Sequence, residues 1–257
     1  MRQVKYYEQL VDLGCFTKGD VEAMTGNRET AKALIKSYKK KGLVEGVRRE
    51  LYVAISLETK QPVPSRYAIA SNATADAYVA YHSALEFHGI ANQVYFEVFA
   101  AAKNRFRTFE HGGLTYTFMQ SPIDAGVERK PGGVRVTDLE RTVVDGIDEI
   151  DKVGGLDELL RSIEMIPYLQ SEKLQTYLKA YNKAFLYQKT GYILEHYKSG
   201  LKITDDFFEH CRSKTGKSSR YLYSSLKQEK YVFNKKWSLC VPDNLTTITR
   251  KGSNYIE

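Results

Sequence analysis

The order of glycines and capping residues in the first sixty positions restricts the fold of this chain more than any other feature. Val4, Tyr7, Leu10 and Val11 recur at helical spacing, and Gly14 stops that helix. Thr17 can cap a second, short helix, with Asp20 at its third position and Val21 and Met24 facing inward. Gly26 supplies a tight turn; Asn27 or Arg28 then opens a third helix that runs to about Lys41 and closes at Gly42. In LVEGVRRELYVA, which follows, apolar stubs at Leu43–Val44 and Leu51–Val53 flank a polar tip, as in a β-hairpin. Helix, short helix, glycine turn, longer helix and hairpin in this order predict a winged helix-turn-helix over residues 1–60.

The third helix divides by angle. At about 100° per residue, Ala31, Leu34, Ile35 and Tyr38 share one arc, while Arg28, Lys32, Lys36, Lys39 and Lys40 fill the arc beside it. One face is core and its neighbour a ridge of positive charge. A Lys-rich face can serve solubility alone, but here it coincides with a helix-turn-helix order, and a major groove admits such a helix. The expected DNA-binding set is therefore Lys32, Lys36, Lys39 and Lys40 on phosphates, with Arg28 and Thr30 at the helix start approaching base edges. Arg48 and Arg49, at the hairpin tip, are expected to clamp a second backbone or the minor groove.

Charge along the rest of the chain agrees with a polyanion partner. The 257 residues carry 38 Lys and Arg against 31 Asp and Glu, a net +7. Residues 1–60 carry net +4, residues 61–209 net −4 and residues 210–257 net +7. Basic ends on an acidic body suit phosphate binding, in which each neutralised phosphate releases counterions. No run approaches the roughly 20 apolar residues of a membrane helix. The charged start MRQVKYYEQLVDLG does not read as a signal peptide. Cys15, Cys211 and Cys240 lie far apart, without the spacing of a disulfide scaffold or zinc ribbon, and suggest a reducing cytoplasm.

Pro62 and Pro64 mark a linker into a small mixed α/β domain over residues 61–150. There the pattern predicts a short strand at Arg66–Ala70, a helix from Tyr78 to His88, and strands at Val94–Ala101 and Leu114–Gln120 joined by a basic connection. Thr137 and Glu140 read as the capping box of an amphipathic helix whose acids Asp138, Asp145, Asp148 and Asp151 lie off its apolar face. Residues 151–257 read as helical, with helices at Leu156–Ile166, Glu172–Asn182, Lys183–Tyr197 and Asp205–Lys214, and with a basic, aromatic tail. In that tail Lys217, Arg220, Lys235 and Lys236 alternate with Tyr221, Tyr223, Tyr231, Phe233 and Trp237. Cations among rings suit single-stranded nucleic acid. The alternation around Tyr231, Phe233 and Trp237 favours instead a final strand pair with buried aromatics. The fold class expected is α+β: a winged helix-turn-helix, a small mixed α/β domain and a helical C-terminal region.

A basic winged module followed by SRYAIAS, HSALEFHGI with Gln93, a strand pair, the RKPGG loop and TDLERTVVDGI resembles the AbiEi family, the antitoxins of type IV toxin–antitoxin systems of phage abortive infection. The resemblance covers roughly residues 1–165 and, loosely, the remainder. It implies a repressor that binds inverted repeats in the operator of its own operon. It also implies an antitoxin that counteracts a nucleotidyltransferase toxin without a stable complex. The basic tail then becomes a candidate contact to the operator or to the toxin's RNA target. Two alternatives stand beside this reading: a winged-helix regulator with an unrelated sensor or partner-binding domain, and an antitoxin that clasps its toxin through residues 151–209.

No catalytic, metal or cofactor site is expected. His82, His88, His111, His196 and His210 show no paired ligand spacing, and no phosphate loop or nucleophile elbow occurs. The string Asp124…Glu128-Arg129-Lys130 has the residue types of a metal-dependent nuclease, the minor alternative, but beside Pro131 and two glycines it reads as a loop.

Overall fold

The computed structural model describes residues 5–216, 218–243 and 245. Side-chain caps start the helices of its N-terminal region where the sequence places them. α1 (Tyr7–Leu13) ends at Gly14, whose φ of 66° lies in the left-handed region; Val4 lies outside the described residues. Thr17 and Asp20 form a reciprocal capping box at the start of α2 (Lys18–Thr25), with Thr17 N donating to Asp20 Oδ2 at 2.6 Å. Asn27 Oδ1 accepts from the backbone N–H groups of Glu29 (2.9 Å) and Thr30 (3.0 Å) and so starts α3 (Arg28–Lys40). β2 (Val44–Arg48) and β3 (Leu51–Ala54) form the hairpin. β1 (Cys15–Phe16), too short to show a period in the sequence, adds a strand antiparallel to β3. Leu10, Phe16, Val21, Ala31 and Ile35 meet in one core, each large side chain contributing about 1.5–3 kcal/mol by burial.

By contacts the chain forms two compact units. The first takes residues up to Val79, with Tyr95–Ser121 and Val127–Val136; the second takes Ala80–Val94, Pro122–Gly126 and the chain from Thr137 onward.

Besides the N-terminal helices, the first unit holds a six-stranded mixed sheet. Arg66–Ala70, expected as a strand, lies in α4 (Arg66–Ser71). Ser65 Oγ accepts from Ala68 N at 3.2 Å, and this cap on an alanine-rich segment outweighs its short apolar run. The helix expected at Tyr78–His88 begins later, because Tyr78–Val79 is itself a strand, β4. β5 (Glu97–Ala102), β6 (Phe109–His111), β7 (Leu114–Gln120), β8 (Val127–Lys130) and β9 (Val134–Thr137) complete the sheet in the order β6-β7-β5-β4-β9-β8. β5 runs parallel to β7, from Glu97 opposite Thr115 to Ala102 opposite Gln120. Val98 to Ala102 are all buried, as expected of a strand covered on both faces.

The second unit is largely helical, with α5 (Tyr81–Phe87), α6 (Leu139–Asp148), α7 (Leu156–Glu164), α8 (Ser171–Tyr181), α9 (Ala184–Glu195), α10 (Lys198–Leu201) and α11 (Asp205–Ser213). α6 departs from expectation. Its cap is Asp138, whose Oδ1 accepts from Arg141 N at 2.8 Å; Thr137 ends β9 and pairs through its hydroxyl with Thr142. Glu140 instead accepts from Gln170 N at 3.0 Å. Asp138 and Asp145 do not decorate an exposed face but are buried, since α5, α7, α8 and α9 all pack on this helix. Burial is compensated by partners: Arg141 Nε lies 2.5 Å from Asp145, and the hydroxyls of Tyr177 and Tyr181 donate to Asp138 and Asp145, each at 2.5 Å.

The tail carries β10 (Arg220–Tyr221), β11 (Tyr231–Asn234) and β12 (Leu239–Pro242), in the order β10-β12-β11. The expected strand pair is therefore present, but Tyr231 and Phe233 are exposed and Trp237 alone of the three is buried. A Cβ on Gly191 would come within 2.1 Å of the Trp237 ring, so the lack of a side chain in mid-α9 is what admits the indole. Among the described residues, no helix is long and apolar enough to cross a membrane.

Candidate nucleic-acid interface

The arcs computed for the third helix appear as its two faces. Ala31, Ile35 and Tyr38 are buried, whereas Arg28, Thr30, Lys32, Lys36, Lys39 and Lys40 are all exposed. Lys32 Nζ lies 2.6 Å from Glu29 Oε1, and this bond holds the Glu29 carboxyl below its usual range. An exposed pair of this kind exchanges readily for a stronger anion such as phosphate. Thr30 is less available, because its hydroxyl turns back to Asn27 Oδ1 at 3.3 Å. Lys39 leans along the hairpin, its amine 3.2 Å from where a Cβ on Gly46 would lie.

The structure separates the two hairpin arginines that the sequence sets side by side. The β2–β3 register shifts between Gly46 and Arg48, and such an irregularity redirects the side chain that follows it. Arg48 turns inward, donates to the Ala73 carbonyl at 2.7 Å and lies 5.5 Å over each of the Phe106 and Phe109 rings. Burial lowers its pKa, although an arginine remains charged. Arg49 stays exposed in the turn with Glu50, whose φ is 63°.

Phe106, buried beneath Arg48, is flanked in the chain by the exposed Arg105 and Arg107. The sequence marks this connection as basic but assigns it no role; packing against Arg48 brings two further cations beside the hairpin. The signal that could have found them is the Arg-Phe-Arg alternation, a buried ring between two outward charges.

In the tail, Arg220 lies 5.1 Å over the Phe185 ring, and Lys236 is bound to Glu195 Oε1 at 2.6 Å. Lys235 is exposed, and Lys217 lies outside the described residues. The segments HSALEFHGI and TDLERTVVDGI are mostly interior. His82 is buried within 3.6 Å of Glu86 and 3.5 Å of Glu158, and Glu158 also accepts from the N–H groups of Asn92 and Gln93. These motifs hold the second unit together.

The nuclease-like string differs from its expected setting. Glu128 stands on β8, not in a loop, and its carboxylate is bridged to Lys130 at 2.6 Å. Among the described residues no group of three or more His, Cys, Asp and Glu side chains is placed to hold a metal ion.

No protein-family model matches the chain, and neither does any curated protein. Among solved structures it is similar to the RV2827C protein from Mycobacterium tuberculosis, with a TM-score of 0.60. The match covers 93% of this chain and 90% of that one at 13% identity, a likeness of fold.

Proposed function

We propose that this chain is a DNA-binding repressor that regulates its own operon, its first sixty residues acting as a winged helix-turn-helix. The observation that carries the reading is α3: a helix with one buried face and an exposed row of Arg28, Lys32, Lys36, Lys39 and Lys40. It follows a capped helix and a left-handed glycine turn, and a hairpin follows it. In this reading Lys32, Lys36, Lys39 and Lys40 contact phosphates, and Arg28 enters the major groove at the helix start. Arg49, rather than Arg48, is the wing cation, supported by Arg105 and Arg107.

The resemblance to the AbiEi family supports a second activity, that of an antitoxin countering a nucleotidyltransferase toxin, with the protein acting in the cytoplasm. A gel-shift titration on the chain's own upstream region tests the first activity. A discrete, saturable complex is expected, and binding no tighter than to unrelated duplex rejects it. Co-expression with the neighbouring gene product tests the second: growth rescued without co-purification is expected, and no rescue rejects it.

A further inference from the structure

The second unit contains a cleft of about 510 Å³ between the end of α6, the segment Glu149–Asp151, α9 and Ser219–Lys227. Three cations converge on it, two of them over a single ring. The Lys189 ammonium lies 5.4 Å and the Arg220 guanidinium 5.1 Å from the centre of Phe185. Lys227 lies 5.7 Å over the Tyr221 ring. One Lys189 proton goes to the Asp148 carbonyl at 2.8 Å, and an ammonium has three to give. The Asp148 carboxylate is taken by Lys183 at 2.7 Å, which leaves Glu149 and Asp151 as the exposed acids of the margin.

We infer that this cleft binds a nucleoside phosphate, with its phosphate on Arg220, Lys189 and Lys227, its base against the tyrosine wall and its sugar hydroxyls on the acidic margin. Each part of that ligand meets its chemistry. Lys189 is buried, and its desolvation strengthens its hold on a phosphate, while Arg220 and Lys227 are exposed and add their charge at the same cleft. Tyr221 and Tyr223 line the same cleft, and an aromatic ring can take any base by stacking. Carboxylates accept from vicinal hydroxyls, and the same carboxylates repel a long polyanion, so a mononucleotide fits better than a strand. The volume is that of a single small-molecule site.

Lys189 gives the site a pH signature. Burial lowers its pKa to about 8, against the pull of Asp148, Glu149 and Asp151 and with the help of Lys183. A phosphate favours the protonated amine, so affinity falls as pH rises above 8, where the phosphate itself is already fully ionised.

The test is calorimetric titration of the full chain with the four nucleoside 5′-monophosphates, the nucleosides, inorganic phosphate and a short single-stranded oligonucleotide. At least one monophosphate is expected to saturate the site and to bind at least tenfold more tightly than its nucleoside, phosphate or the oligonucleotide. That affinity is expected to drop at least tenfold in Arg220→Ala, or in Lys227→Ala should the first variant melt early. It falls severalfold from pH 7 to 9 in the parent chain and stays level in Lys189→Met. No saturation at millimolar concentration, phosphate or oligonucleotide binding as tightly as the monophosphate, or unchanged affinity in a folded variant overturns the inference. Lys36→Glu, on the DNA-facing helix, is expected to bind the monophosphate as the parent does, which keeps this result separate from the fate of the DNA-binding reading.

Discussion

Arg48 and Arg49 are neighbours of the same type with opposite duties. Arg48 is an internal strut: its guanidinium is hydrogen-bonded to Ala73 and stacked on two phenylalanines. Truncation to alanine loses that packing and orphans a carbonyl, so Arg48→Ala should lower stability by about 1–3 kcal/mol in thermal unfolding. A melt indistinguishable from that of the parent would contradict the placement. Lys36 is the reverse case, exposed and remote from the core. Lys36→Glu should leave the melt unchanged, weaken binding on every duplex and flatten the salt slope, as anisotropy titrations would record. Lys189 supplies a third prediction. Its folded pKa of about 8 lies below its ordinary 10.5, so between those values the unfolded chain holds a proton that the folded one has released. Stability should therefore rise with pH across that window, by up to about 3 kcal/mol. Lys189→Met should lack the rise when melts are compared at pH 8 and 10. At this scale the sequence was legible where a residue's role is local. Thr17, Asp20 and Asn27 cap as their types and spacing demand, whereas Arg48 depends on a register shift and on rings almost sixty positions away. Neither leaves a trace in its neighbours.

Among the elements, α3 and α6 show what periodicity can and cannot report. α3 borders solvent, so polarity marks its two faces and the reading from the sequence matches its burial. α6 has helices on several sides, and its acids, which look like a solvated face in the sequence, are held by Arg141, Tyr177 and Tyr181. A buried ion pair and an exposed charge are spelled with the same letters. α4 failed for a different reason: six residues are too few for period 2 and period 3.6 to be told apart, and the serine cap decides. α9 carries the element-scale prediction. Alanine is the better helix former by about 1 kcal/mol. Even so, Gly191→Ala should destabilise by about 1–3 kcal/mol, because a Cβ there collides with the ring of Trp237. Trp237 is the single tryptophan of the chain, so its fluorescence should shift with the loss; a stabilised variant with unchanged emission would refute the close packing.

For the molecule as a whole, each unit carries a distinct chemistry. The first presents a cationic helix and hairpin; the second is a helical body built around a buried acid–arginine–tyrosine network and bearing a cationic cleft. The basic ends and acidic middle, visible in the sequence, foreshadowed this division only in part, because two of the tail cations, Arg220 and Lys236, are engaged by Phe185 and Glu195. The six-stranded sheet was the least legible feature: β4 and β6 are two and three residues long, and β4 pairs with strands about twenty and fifty-seven positions away. The central claim is that α3 and the hairpin bind duplex phosphates. The measurement that tests it most directly is the affinity of the full chain for its own upstream duplex across a range of salt concentrations. With Lys32, Lys36, Lys39, Lys40 and Arg49 each neutralising a phosphate, the logarithmic slope should be about −4.5 and should become shallower in Lys36→Glu. A slope near zero, or one that Lys36→Glu leaves unchanged, would contradict the account.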